Sequence, residues 1–162
     1  MRALETPHYS VVASLDGLRL EDQRLPAHMK LAPWFTVDAD EARVAEVCAD
    51  AVSDIEPFAI TGEGEGHYSS LSWRRTRMVG ERTLLSELHA QLVDRIEPLG
   101  AKFAFPEHAY EGYVPHISAP NLMKEGSRRW IKRGETVQVN ELWIVKSYSS
   151  NLVLDKVGLE TR

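Results

Sequence analysis

Two histidines stand in matching short contexts, at positions 28 and 116. The first context reads Pro26-Ala27-His28-Met29-Lys30-Leu31 and the second Val114-Pro115-His116-Ile117-Ser118-Ala119. In each, an apolar residue follows the histidine and a polar residue comes two places on. Side chains on a strand alternate faces with period two, so an extended backbone puts His28 on one face with Lys30, and His116 with Ser118. An imidazole beside a phosphate-binding group is half of an acid–base phosphoryl-transfer site. Cleaving a phosphodiester takes a base for the attacking hydroxyl and an acid for the leaving oxygen. Histidine, with an unperturbed pKa of about 6.5, serves as either near neutral pH. His28 and His116 are therefore the catalytic candidates, and the sequence leaves open which is acid and which is base. A lone strand histidine is often only a hydrogen-bonded structural residue; the pairing of the two contexts favours catalysis.

Ser118 can donate its hydroxyl to a non-bridging phosphate oxygen. Lys30 can do the same with a full charge, as a point charge without the planar fork of arginine. Its ammonium would also lower the pKa of His28 by like-charge repulsion, which favours the base role for that histidine. Basic residues cluster at Arg74-Arg75-Thr76-Arg77 and between Lys124 and Arg133. Such runs are commonly solvated faces; in the first, Arg75 is the candidate substrate ligand. Trp34, Trp73, Tyr113 and Tyr148 are each able to stack a base, while the general burial of aromatics favours core or rim for them. Of these, Tyr113, just ahead of His116, is assigned to substrate binding. His8, His67, His89 and His108 show no ligand spacing. His89 reads as a surface or helix-packing position, and His67 and His108 as turn positions. No His-x-x-x-His pair and no clustered acids adjoin either motif, so neither a metal nor a cofactor is expected.

The elements that must position these residues follow from the pattern. Tyr9 to Leu15 is β-rich and forms a first strand, closed by an Asp16-Gly17 turn. Leu25 to Val37 is extended, carries the first motif and bends near Pro33. Asp38 and Glu41 are spaced as a capping box, or Asp40 caps directly, ahead of a helix with Val44, Val47, Cys48, Ala51, Val52 and Ile55 at helical spacing. Phe58 to Thr61 is a short strand, Gly62 to Gly66 a flexible turn, and Tyr68 to Val79 the returning strand. The glycine stretch is no dinucleotide fingerprint, since no helix follows it and its glutamates repel phosphate. A second helix runs from about Arg82 to Glu97 on a stripe of Leu84, Leu85, Leu88, Leu92, Val93 and Ile96, ended by Pro98 and Gly100. Phe103 and Phe105 alternate with small residues, and Pro106 to Gly112 is a loop. Tyr113 to Ala119 is the second motif strand. Val137 to Val145 alternates as one late strand, and Asn151 to Leu159 supplies the last. No linker divides the chain, so residues 1–162 are expected to form a single domain of two similar halves, each supplying one motif.

With its two motifs in this order of helices and strands, the chain resembles the 2H phosphoesterase superfamily, which includes bacterial 2′-5′ RNA ligase and cyclic phosphodiesterase proteins. That family carries two His-x-Thr/Ser motifs with apolar flanks. Gly112-Tyr113-Val114-Pro115-His116-Ile117-Ser118 matches the second motif closely. His28-Met29-Lys30-Leu31 departs from the first, because Lys30 stands where Thr or Ser is usual. The resemblance covers most of the chain. It implies an α+β, bilobal and pseudo-symmetric fold, with two antiparallel sheets around a central cleft and helices outside. It also implies metal-independent chemistry on 2′-5′ linkages or 2′,3′-cyclic phosphates, with His28 and His116 catalytic and Ser118 holding phosphate.

At 43% hydrophobic and 27% charged residues, the chain is of ordinary globular composition. The single cysteine, Cys48, excludes an internal disulfide and any cysteine-based zinc cluster. A net charge of −5 argues against a protein that coats long double-stranded DNA, while leaving room for a nucleotide or short RNA in a locally basic cleft. Met1-Arg2-Ala3-Leu4-Glu5 does not read as a signal peptide, and no window reaches about 18 apolar residues, so a cytoplasmic monomer without membrane contact is expected. Two other readings stay open: a non-catalytic nucleotide- or RNA-binding module on the same fold, favoured by Lys30, and a phage-type nuclease degrading a cyclic oligonucleotide signal. A metal-dependent hydrolase built on the other histidines is the remaining alternative, which chelation would inactivate.

Overall fold

Tyr9, Val11 and Ala13 alternate with Ser10, Val12 and Ser14, and this period-two pattern forms the first strand, β1 (His8–Ser14). The structure is a computed structural model that describes residues 6–15, 28–67, 75–118, 131, 133–147 and 151–161, with the backbone alone described at 65–67, 75–78, 118, 151 and 152. The Asp16-Gly17 turn, Trp73, Arg74, Tyr148 and most of the Lys124–Arg133 run lie outside these residues. The first motif strand is β2 (His28–Thr36). The bend expected near Pro33 is a slip in register: Val11 pairs with Ala32, while the next residue, Val12, pairs with Lys30. A proline, which has no N–H to donate, suits such an irregular stretch.

Asp40 caps the first helix directly. Its carboxylate accepts the Arg43 N–H at 2.8 Å, and α1 runs Glu41–Val52. The second helix, α2 (Arg82–Ile96), passes into a 3₁₀ turn at Glu97–Leu99 and ends at Gly100, whose φ of 81° suits a residue without Cβ. Leu84, expected on the buried stripe, is instead an exposed residue. The stripe runs through Leu85, Leu88, His89, Leu92, Val93 and Ile96, and Leu84 falls one position outside it.

Two other expectations are corrected. The glycine stretch is not a turn: β3 (Phe58–His67) passes straight through it. Its first half pairs with β7 (Thr136–Val139) and its second half with β4 (Arg75–Val79). Backbone hydrogen bonds hold this stretch, with Gly62 bonded to Glu135 and Gly134, so it needs no side-chain packing of its own. The stretch from Val137 to Val145 is likewise not one strand. The chain leaves β7 at Val139 and enters β8 (Glu141–Ser147) in the other sheet. The odd step from Val139 to Leu142 in the apolar alternation marks the crossing.

With β5 (Lys102–Phe103), β6 (His116–Ser118) and β9 (Asn151–Gly158), the strands make two antiparallel sheets. One is ordered β5-β2-β1-β8-β9 and the other β6-β4-β3-β7. A shared core joins them: Phe35, Leu31 and Ile144 from the first sheet meet Ile60, Val79 and Ile117 from the second, with Val44 and Cys48 of α1 and Leu85 and Leu92 of α2. Each fully buried side chain of this size contributes about 1.5–3 kcal/mol before chain entropy is set against it. A smaller apolar cluster lies apart from this core: Val12 and Val145, flanked by Trp34, Trp143 and Val153. No helix among the described residues is long and apolar enough to cross a membrane.

Candidate active site

His28 opens β2 opposite Ser14, and Lys30 follows opposite Val12. Both lie on the face away from Met29 and Leu31, which the main core buries. Both are half-buried. The Lys30 ammonium sits 5.5 Å from the centre of the Trp34 ring, within cation–π range. His116 opens β6, the edge strand of the second sheet, with its backbone opposite Met78 and that of Ser118 opposite Thr76. Strands β2 and β6 lie side by side although they belong to different sheets. This contact brings the two motifs together.

His116 Nδ1 lies 2.7 Å from the Val114 carbonyl oxygen. A carbonyl can only accept, so Nδ1 carries the proton and Nε2 is the basic nitrogen of the ring. Burial pushes the His116 pKa below its ordinary value, and like-charge repulsion from Lys30 and from the nearby His108 ring works the same way; the bond to Val114 opposes them. A neutral imidazole with its basic nitrogen at Nε2 is the form that accepts a proton. Lys30 therefore acts on the histidine of the other motif. His108 stands in a 3₁₀ turn over Pro106–His108, its ring 5.6 Å from that of Phe105.

Behind the motifs, two consecutive carbonyls of β2 are held from the second half of the chain. The Tyr113 hydroxyl donates to Lys30 O at 2.8 Å, and His89 Nδ1 donates to Leu31 O at 2.6 Å. His89 Nε2 in turn accepts the Tyr110 N–H at 2.9 Å. The two rings stack with centres 4.1 Å apart and planes within 3°. His89 is 1% exposed, and burial pushes its pKa down against the raising effect of the Leu31 bond, which keeps it neutral with one fixed tautomer. The bonded N–H belongs to Tyr110, a non-glycine residue at φ 55°. Such a backbone persists only where its surroundings hold it. Gly112 follows in the 3₁₀ turn Tyr110–Gly112, where an added Cβ would lie 2.0 Å from Glu107 O.

Of the residues singled out by sequence, Lys30 and His116 come within electrostatic reach of one another where β2 lies beside β6, while His28 opens β2 and the backbone of Ser118 ends β6. The Arg75 backbone opens β4 opposite His67, just before the Thr76–Ser118 pair. Tyr113 is 8% exposed, with one ring face against His89, so it packs behind the site rather than presenting an open face to a base. Trp34 lies beside Lys30. His89 and His108 carry roles that the spacing of ligands does not reveal. For His89 a signal exists: it completes the apolar stripe of α2 at the one polar position. Among the described residues no group of three or more His, Cys, Asp or Glu is placed to hold a metal.

A sequence model of the 2′-5′ RNA ligase superfamily matches residues 6–146. A search of curated proteins finds no match to the sequence. Among solved structures, a protein of Thermus thermophilus is similar with a TM-score of 0.62 at 13% identity, over 96% of this chain and 99% of that one. A structure described as a phosphoesterase is similar with a TM-score of 0.60 at 15% identity, over 97% of this chain and all of its own. Escherichia coli LigT, solved with 3′-AMP, is similar with a TM-score of 0.56 at 15% identity, again over 97% of this chain and all of that one. At these identities the structural likeness speaks for the fold.

Proposed function

Because the chain belongs to the 2′-5′ RNA ligase superfamily, of the 2H phosphoesterase kind, we propose that it is a metal-independent phosphodiesterase. Its substrate is a 2′-5′-linked or 2′,3′-cyclic nucleotide or a short RNA. The observation that carries this reading is His116: half-buried, pushed toward the neutral form, and fixed by Val114 with its basic nitrogen at Nε2. In this reading His116 takes a proton from the attacking water or hydroxyl. The new oxygen–phosphorus bond forms opposite the leaving oxygen, and protonated His28 gives that oxygen its proton. Ser118, Lys30 and Arg75 hold the non-bridging oxygens. LigT, which shares the fold, has been solved with 3′-AMP and with ATP, which supports a nucleotide as the ligand.

Turnover of 2′,3′-cyclic nucleotides and 2′-5′-linked dinucleotides in the presence of a chelator tests the proposal. Removing an acid–base group costs about 10²–10⁴ in rate, so His28→Ala and His116→Ala should each lose at least a hundredfold in kcat. Full activity in both variants would sink the mechanism, and loss of wild-type activity to the chelator would sink its metal independence. Lys30, in the place of a hydroxyl residue, favours a second reading as a nucleotide-binding module without catalysis. Tight binding without turnover by the wild type would establish that reading instead.

A further inference from the structure

Three register pairs line up four residues across the first sheet. Lys30 on β2 is opposite Val12 on β1, Val12 is opposite Trp143 on β8, and Trp143 is opposite Lys156 on β9. Directly paired residues of antiparallel strands project to the same face, so the four side chains share one face of the sheet, with Val12 buried between the half-buried Lys30 and Trp143. Its apolar floor is the cluster of Val12 and Val145 with Val153 beside them. An indole is set against an ammonium at each end: Lys30 Nζ is 5.5 Å from the Trp34 ring, and Lys156 Nζ is 4.2 Å from the Trp143 ring. Both indoles are half-buried, and Lys156 is exposed. The Trp143 indole N–H donates to the Glu141 carboxylate, two residues back on β8 and on the same face. The row begins at the first motif, since Lys30 shares its face with His28, and it ends on the outermost strand of the sheet.

We propose that the Lys30–Val12–Trp143–Lys156 row is a binding track for single-stranded oligonucleotide, leading from the His28–His116 centre to the edge of β9. The proposal rests on the phosphodiesterase reading for its inner end and extends it from a single phosphate to a strand. Alternation of cation and flat ring is what a strand of phosphates and bases requires: an ammonium for the backbone, an aromatic face for a base, and an ammonium again. In a chain with net charge −5, the described residues of this face set two lysines beside two tryptophans against one carboxylate, Glu141, a local balance opposite to that of the whole chain. A base stacked on Trp143 gains more than the exposed cation–π contact it displaces, and the freed Lys156 ammonium can then reach the adjacent phosphate. Adjacent strands are about 4.8 Å apart, so the two lysine backbones stand about 14 Å from one another across three strand spacings. A stacked strand advances about 3.4 Å per nucleotide, so the track suits about four nucleotides rather than one.

The test is equilibrium binding of a fluorescein-labelled uridine tetranucleotide, read by anisotropy, with unlabelled uridine 3′-monophosphate as the mononucleotide competitor. The full chain carrying His116→Ala is used so that turnover does not consume the probe. The tetranucleotide should bind at least about tenfold more tightly than the mononucleotide, the scale of one stacked base. Trp143→Leu should erase most of that advantage and Trp143→Phe should keep it. Lys156→Gln, on an exposed side chain, should weaken the tetranucleotide severalfold and reduce its salt slope by about 0.7. Equal affinity for the two ligands overturns the track, as does an unchanged ratio and salt slope in both Trp143→Leu and Lys156→Gln. A chain that binds the tetranucleotide as described but turns over no phosphodiester supports the track and overturns the enzyme reading.

Discussion

Lys30 stands where a hydroxyl side chain would complete the first motif, and its charge reaches His116 on the second. The like charge and the burial of the ring both favour the neutral imidazole, so His116 stays deprotonated to lower pH than an ordinary histidine. With His116 as the proposed base, the acid limb of the pH–rate profile should lie below about pH 6.5. Lys30→Thr removes the charge and restores a hydroxyl. The His116 pKa should then rise toward its ordinary value, and the acid limb should move to higher pH. A profile of kcat/KM against pH decides the point, and an unmoved limb would show that Lys30 does not tune His116. At high pH the variant should retain activity if the hydroxyl serves the phosphate as the ammonium does. The sequence made both motifs legible because their signal is local: a histidine, an apolar residue and a polar one on alternating faces. It pointed Lys30 at His28, its neighbour on the strand. The effect on His116 depends on β2 lying beside β6, and nothing in either hexapeptide encodes that contact. The influence of His108 on His116 was hidden for the same reason.

Helix α2 reaches the first motif strand through one polar residue on its buried stripe, His89. Its two ring nitrogens satisfy Leu31 O and Tyr110 N at once, which only the neutral ring can do. Unfolded, the imidazole regains a pKa of about 6.5; folded, burial holds it lower. The unfolded chain therefore binds more protons below about pH 6.5. Stability from His89 is present above that pH and is lost as pH falls toward the folded value. His89→Phe keeps a ring against Tyr113 but leaves Leu31 O and the Tyr110 N–H without their partner, at about 1–3 kcal/mol each. Urea unfolding should show a loss of roughly 2–6 kcal/mol at pH 7.5 and a smaller further loss at pH 5.5 than the wild type suffers. Equal losses on acidification would assign the pH dependence elsewhere. In the same segment Gly112→Ala drives a Cβ into Glu107 O. It should cost about 1–3 kcal/mol as overpacking and lower kcat, since the displaced turn feeds Tyr113 and His116. Both helices were legible from apolar spacing, with Leu84 as the one residue read into the wrong side of the stripe. The glycine stretch misled because glycine signals a turn through its freedom of φ, while in β3 only the backbone bonds matter. Gly64, at φ 98°, does use that freedom, at a register slip between β3 and β4.

Two sheets with a motif each suggest two domains, and the layout of the sequence in two similar halves invites that view. The packing argues otherwise. One cluster of buried residues takes Tyr9 and Leu31 from the first sheet, Ile60 and Ile117 from the second, and the inner faces of both helices. Helix α2, which follows the strands of the second sheet, lies on β2 of the first and bonds to Leu31. Neither sheet can shed its partner without exposing the other's apolar face, so the two should unfold as one cooperative unit. The four tryptophans and the lone cysteine allow this to be read separately. Trp34 and Trp143 report on the outer face of the first sheet. Cys48, fully buried in α1 with its thiol pushed up to about 12 by burial, reports on the helical layer, because it reacts with thiol reagents only when the core opens. Far-UV circular dichroism, tryptophan fluorescence and pulsed labelling of Cys48 should give one coincident midpoint across a urea series. Cys48 labelling at lower urea than the fluorescence change would mean that the helices part from the first sheet before it melts. The proposed catalytic pair would then be held by two independent lobes rather than by a common core, and His28 and His116 could separate without global unfolding.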